Sequence, residues 1–333
     1  MFKIKLLLLL LLVCNSVYSF SGSVYTVGVR AFNGTEAANK QWSATVRYLD
    51  ETYHNYIFNL KPIVGFDEME TLFKNGELDF VITQAFEAVM LRDLYGGKIF
   101  LSLLNSYNGR AVANFSSVLF VKGSREDINS VYDFKGKTVA AINPKGFGGY
   151  LIGLKEIRDH GLKEFKDFDV VFKGTQNNTV VSVMTGEADV GIVRTGVIEN
   201  LINNGKLSEN DIKIINRQEG SFPFIHSTRL YPEWGIISNK NVDNTAVADV
   251  QKALIDISSS ENFYKKNNYS GWIRPVSYQP VYDIMKELEV GLYKTDKRIN
   301  QDLIVISVVL SILLMLLTYF YFKRKMKDRI ENT

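Results

Sequence analysis

The residues able to do chemistry in this 333-residue chain are hydrogen-bond donors that fall where strands end. They are Arg30, Lys145, the backbone amides of Gly146, Phe147, Gly148, Gly149 and Tyr150, then Thr175, Asn177, Arg194, Thr195 and Arg229, with Tyr231 beside the last. Guanidinium forks take two oxygens of an anion at once, and bare amides at a helix start add donors with little side chain in the way. A charge-assisted hydrogen bond is worth roughly 1.5–3 kcal/mol net, so three or four of them reach micromolar binding of a small oxyanion. An arginine that merely pairs with a surface acid contributes about 0–1 kcal/mol and points to no ligand. Tyr150 and Tyr231 suit the wall of a partly wet cleft, whereas Trp42 and Trp234 read as core.

Other chemistries have less support. His54, His160 and His226 show no paired metal-ligand spacing. Nucleophile elbows, phosphate-binding lysine loops and dinucleotide fingerprints are missing, since Gly146, Gly148 and Gly149 lack the spacing of the last. Asp79 and Asp189 invite a reading as paired catalytic carboxylates. Each, however, closes the same short acidic turn, Gly76-Glu77-Leu78-Asp79 and Gly186-Glu187-Ala188-Asp189, so both read as turn residues. The expectation is a binding protein without metal or cofactor, an exported enzyme being the weaker alternative.

The elements that position these donors follow an α/β beat. Val24 to Arg30, Phe58 to Val64 and Leu78 to Thr83 read as strands, alternating with helices around Trp42 to Leu49 and Asp67 to Lys74. Lys137 to Ile142 is a buried strand, Asn143 to Tyr150 a glycine-rich turn, and Tyr150, Leu151, Leu154 and Ile157 recur at helical spacing. Ser116 to Val121, Val170 to Phe172 and Val190 to Val193 are further strands. The repeated acidic turn implies two lobes of one construction, with polar residues at 145–149, 174–179 and 194–195 gathered on one sheet edge. Crossings near Phe115 and Arg229 would place residues 24–113 and 231–293 in lobe one and residues 114–226 in lobe two.

Composition is that of an ordinary globular chain, 46% hydrophobic and 23% charged, except at its ends. Lys3 and Lys5 precede an unbroken Leu6 to Val13 run, and Val17-Tyr18-Ser19 offers a cleavage site, so residues 1–19 read as an export signal. The only cysteine, Cys14, would leave with it; acylation of Cys14 is the weaker alternative. Leu303 to Phe322 carries no charge, long enough at about 30 Å to cross a bilayer. Lys323, Arg324, Lys325, Lys327 and Arg329 follow, which places the tail 323–333 in the cytoplasm, the linker 294–302 and the domain 20–293 outside. Of 39 basic residues, seven lie in signal and tail, leaving 32 against 34 acids, too balanced for a nucleic-acid partner. An exported region without cysteine suits a bacterial periplasm, the chain being held at the inner membrane.

Five segments resemble a known family. They are Trp42 with Tyr48-Leu49, Phe147-Gly148-Gly149 after Asp133-Phe134-Lys135-Gly136-Lys137, the run Gly186 to Thr195, the run Ser227 to Trp234, and Gly271-Trp272 through Tyr278 to Val281. Together they resemble the phosphate/phosphonate-type (PhnD-like) periplasmic solute-binding family, and within it the sensor domains of tetrathionate-type two-component histidine kinases, without the kinase. The resemblance covers about residues 24–293. It implies a type II-like two-lobed binding fold closing on a small oxyanion, of sulfur or phosphonate type. It also implies a sensor that signals by lobe closure to a separate kinase, or alternatively a tethered receptor for an ABC permease. The turn at 145–149 lacks the Ser and Thr of the transport relatives, leaving bare amides and Phe147 as contacts.

Overall fold

The computed structural model describes residues 22–107, 110–257, 269–294, 307–320 and 323–324. The expected signal with Cys14, most of the 294–302 linker, both ends of the 303–322 run and residues 325–333 lie outside the described residues.

Up to Leu288 the chain forms one compact unit built on two sheets. In chain order the strands are β1 (Ser23–Arg30), β2 (Tyr56–Ile63), β3 (Phe80–Thr83), β4 (Lys98–Tyr107), β5 (Arg110–Val112), β6 (Asn114–Phe115), β7 (Ser117–Lys122), β8 (Thr138–Ala141), β9 (Asp169–Phe172), β10 (Val190–Arg194), β11 (Ile212–Ile215), β12 (Tyr231–Pro232), β13 (Gly235–Ser238) and β14 (Tyr269–Ile273). The first sheet runs β14-β4-β13-β3-β1-β2, with β5 paired to β4. The second runs β11-β7-β10-β8-β9. In the first, β1 lies parallel to β2 and β3; in the second, β8 lies parallel to β9 and β10. Parallel neighbours require helical crossovers, which the helices Thr35–Thr52, Phe66–Lys74, Ile152–Asp159 and Gln176–Met184 supply.

Two short strands join the lobes. β6 and β12 pair antiparallel, Tyr231 opposite Phe115 and Pro232 opposite Asn114. They form the twin connection between the sheets.

The acidic repeat has a physical cause. The Asp79 carboxylate accepts from the Thr26 amide at 2.7 Å, and the Asp79 amide donates to the Thr26 carbonyl at 3.0 Å. In the second lobe Asp189 does the same with Thr138, at 2.8 and 2.9 Å. Each carboxylate closes the start of a strand onto its neighbour. Their surroundings differ: burial raises the Asp79 carboxyl, whereas for Asp189 burial is outweighed by the Thr138 amide and Arg125, which hold it low.

Strand β4 is absent from the sequence reading. Phe100, Leu101 and Leu103 are all buried, so the strand is covered on both faces and shows no apolar–polar alternation. The first lobe's core gathers Trp42, Tyr269 and Trp272, with Trp42 at 5.6 Å from Tyr269 and 5.9 Å from Trp272 between ring centroids. In the second lobe Val118, Phe120, Ala140, Val180 and Val193 fill the space between sheet and helices.

The second unit, from Glu289 on, holds a tight helical turn at Gly291–Tyr293 and a helical stretch at residues 307–320 with exposed apolar side chains. Among the described residues no helix is long and apolar enough to cross a membrane.

Candidate functional site

Asn143 to Tyr150 leaves β8 and enters the second lobe's helix through a wide turn. Asn143 accepts from the Lys145 amide through its side chain at 2.9 Å and from the Gly146 amide through its carbonyl at 3.1 Å. The Leu151 amide reaches back five residues to Gly146 at 3.0 Å, and residues Phe147–Leu151 form a π-helical turn ahead of Ile152–Asp159. Such wide turns recur at functional sites because they displace the backbone from regular helical pairing. The Gly148 carbonyl accepts from the Ser117 hydroxyl at 2.5 Å, and the Gly149 carbonyl from the Ile142 amide at 3.3 Å. The amides of Gly148 and Gly149 have no acceptor among the described residues. Both glycines are needed for space: a Cβ on Gly148 would sit 2.7 Å from the Phe115 ring, and one on Gly149 2.8 Å from the Gln176 amide.

Phe147 fastens this turn to its surroundings. Its ring meets Phe86 of the first lobe at 5.8 Å and Phe115 and Tyr231 of the crossover strands at 5.9 and 5.4 Å.

A cavity of about 300 Å³ opens between the two sheets. Phe147, Gly148, Gly149, Thr175 and Arg194 all line it, as does Trp234, which the sequence reading placed in the core. Gln41, Gln84, Gln176, Asn33, Asn105 and Asn143 add amide groups, and Phe32, Phe115 and Tyr269 add aromatic surface. Arg194 and Glu233 are the two charged residues of the lining among the described residues. The Arg194 guanidinium pairs with the Glu233 carboxylate and stands over the Phe115 ring at 4.6 Å. Its backbone amide donates to Gln176 at 3.2 Å. Glu233 is almost wholly buried, and also accepts from Asn105 at 3.2 Å and from the Trp234 amide at 3.3 Å. The cleft thus offers one half-satisfied guanidinium, free backbone amides and many neutral amide side chains. That set can hold a polyoxygenated ligand with an apolar body.

The remaining sequence-selected residues lie elsewhere. Arg30 is buried and spent on Glu87, with its Nε at 2.8 and 3.0 Å from the two carboxylate oxygens and further bonds to the Ile63 and Val64 carbonyls. Burial raises the Glu87 carboxyl and Arg30 pulls it down. Arg30 nonetheless shapes the cleft indirectly, because its guanidinium covers the Phe32 ring at 4.3 Å and Phe32 packs edge-on against Trp234 at 5.7 Å. Lys145 is exposed and bonds Asp67 at 2.7 Å, Gly146 packs on Ile142, and Asn177 points outward from the second position of its helix. Tyr150 packs on Phe172 at 5.1 Å, its hydroxyl pushed up to about 12 by burial. Thr195 is buried against Ser116, its amide donating at 3.0 Å. Arg229 is half-exposed, donates to the Tyr231 hydroxyl at 3.0 Å and lies 3.6 Å from Asp283. Tyr231 supports Phe147 from below rather than lining the cavity.

The sequence marks none of Gln84, Asn105 and Glu233 as a contact, and takes in Gln176 only within the polar stretch 174–179. Gln84 and Gln176 had a usable signal, since each follows a strand at the sheet edge that carries the other donors. Asn105 lies within β4 and Glu233 directly after β12, and nothing in their spacing marks them.

A family model described as "ABC transporter, phosphonate, periplasmic substrate-binding protein" matches residues 27–277. Among curated proteins the chain is similar to the tetrathionate sensor histidine kinase TtrS of Salmonella typhimurium, 25% identical over 318 residues. That match takes in 93% of this chain and 52% of the relative, so the chain spans about half the relative's length. Among solved structures it is similar to PhnD1 from Prochlorococcus marinus in complex with methylphosphonate, with a TM-score of 0.64 and 16% identity over 80% of this chain and 98% of that one. XAC2383 from Xanthomonas citri, bound to ATP, gives a TM-score of 0.64 and 16% identity over 81% of this chain and all of the other. At these identities the two structures establish the fold.

Proposed function

The chain belongs to the family of periplasmic substrate-binding proteins of the phosphonate ABC-transporter type, and from that premise we propose that it is a membrane-anchored sensor of a small oxyanion. The observation that carries this reading is the convergence of Arg194 with the free amides of Gly148 and Gly149 on one cleft between two lobes. A guanidinium and two backbone N–H groups match the oxygens of a sulfonate, phosphonate or sulfur oxyanion. Similarity to a tetrathionate sensor kinase favours a sulfur oxyanion.

Residues 1–19 direct export and residues 303–322 anchor the chain in the inner membrane, with the binding region outside. Ligand bound between the lobes favours the closed arrangement by its differential affinity, and the segment after Leu288 hands that change to a histidine kinase. The second reading is a tethered receptor that delivers its ligand to an ABC permease, favoured by the family description itself.

Calorimetric titration of the purified full chain with tetrathionate, thiosulfate, methylphosphonate and inorganic phosphate tests the oxyanion claim. Binding of at least one at micromolar Kd supports it; heats no larger than dilution for all four sink it. Co-purification with a kinase or with a permease then separates the two readings.

A further inference from the structure

We infer that Glu233 sets the charge the cleft accepts, so that the site takes an oxyanion head carrying one negative charge and rejects a head carrying two. This rests on the oxyanion reading of the same cleft. Among the described residues the lining holds one cation, Arg194, and one anion, Glu233, and they touch each other. Glu233 is 1% exposed and receives Arg194, Asn105 and the Trp234 amide, so its carboxylate stays in place whether or not a ligand enters. The other polar lining groups, Gln41, Gln84, Gln176, Asn33 and Asn143 among them, carry no charge.

Linear and quadratic terms then compete. A ligand's attraction to the Arg194–Glu233 pair grows in proportion to its charge, and Glu233 subtracts from it at every step. The cost of leaving water grows with the square of the charge, so a doubly charged head pays about four times the desolvation of a singly charged one. An unopposed arginine could offset that cost. An arginine already matched by a buried carboxylate cannot. Backbone and side-chain amides add dipoles that suit a spread charge, and the rings of Phe32, Phe115 and Trp234 suit an apolar substituent beside it.

The probes are methanesulfonate and sulfate, in which a methyl and a charged oxygen respectively complete the same SO₃ group, and methylphosphonate titrated across its second ionisation, where only a proton and its charge change. With the full wild-type chain, methanesulfonate should bind about tenfold or more tighter than sulfate. The methylphosphonate affinity should fall as pH rises through the ligand's second ionisation, while the methanesulfonate affinity, measured alongside as a control for the protein, stays level. In Glu233→Gln the preference for methanesulfonate should shrink to within roughly threefold because sulfate gains. Equal changes for both anions in Glu233→Gln would mean that Glu233 only holds Arg194 in place, and would overturn the inference. So would a wild type that prefers sulfate or the methylphosphonate dianion. If Glu233→Gln does not fold, the two wild-type comparisons decide alone. If no anion of either kind binds, the oxyanion reading itself fails, a result distinct from binding without charge preference.

Discussion

Arg194 and Arg229 each sit in one of the sequence motifs, Gly186 to Thr195 and Ser227 to Trp234, but face different surroundings. Arg194 lines the cleft and shares Glu233 with Asn105; Arg229 lies outside it, against Tyr231 and Asp283. Arg194→Gln should therefore lose about 1.5–3 kcal/mol of ligand binding, a Kd more than tenfold weaker, while Arg229→Ala binds as the wild type does. Titration calorimetry on the two variants checks this, and equal losses would contradict it. Gly148→Ala places a methyl 2.7 Å from the Phe115 ring and 3.1 Å from the Arg194 side chain. Overpacking of that kind costs about 1–3 kcal/mol, and ligand binding should fall further because Arg194 is pushed. Asp79 and Asp189 make the same backbone bonds yet differ in sign with pH. The Asp189 carboxyl is held low, so it contributes stability above the unfolded carboxylate pKa of about 3.9, lost as pH falls through its lower folded value. The Asp79 carboxyl is raised by burial, so its ionisation costs stability once pH passes that unfolded value. Asp189→Asn should thus destabilise at neutral pH and Asp79→Asn should not, with the difference closing in acid, as read by urea midpoints across pH.

At the scale of elements, the π-helical turn Phe147–Leu151 is fixed less by its own hydrogen bonds than by Phe147, which touches Phe86, Phe115 and Tyr231. Phe147→Ala should cost about 3–5 kcal/mol and abolish binding, whereas the volume-saving Phe147→Leu keeps most of the fold. A loss of binding with an unchanged urea midpoint would show that the ring is not a packing key. This element also shows what the sequence can and cannot say. The turn was legible from Gly146 to Gly149 because glycine after a β-branched run has few other uses, and the strand edge that carries Thr175 and Arg194 followed from the α/β beat. Arg30 stays open from sequence, because an arginine at a strand end looks alike whether it faces ligand or a buried acid 57 residues away. Glu233 was invisible for the reverse reason: its partners, Asn105 and Arg194, come from distant strands that meet only in the folded cleft. Strand β4 escaped because burial on both faces erases the period that identifies a strand.

Across the whole molecule, residues of the second lobe reach the first at several points. Lys145 meets Asp67 at 2.7 Å, Lys155 meets Glu287 at 2.5 Å, and the aromatic contact of Phe147 with Phe86 lies between them. The exposed Lys145–Asp67 pair is worth about 0–1 kcal/mol, so it tunes closure and does not impose it. The ligand must supply the difference. The proposed anchor is tested separately: alkaline washing should leave the chain in the membrane fraction and detergent should release it, while release by the wash alone would remove residues 303–322 from the account. The central claim is most directly tested by thermal unfolding of the full chain with and without saturating oxyanion, wild type beside Arg194→Gln. At a hundredfold excess over Kd a ligand adds about 2.7 kcal/mol, a rise in Tm of roughly 5 °C for a domain of this size. That rise is expected for the wild type with at least one sulfonate, phosphonate or sulfur oxyanion, and half of it or less for Arg194→Gln at the same concentration. An equal rise in both proteins, or no rise in either with any of these anions, would contradict it.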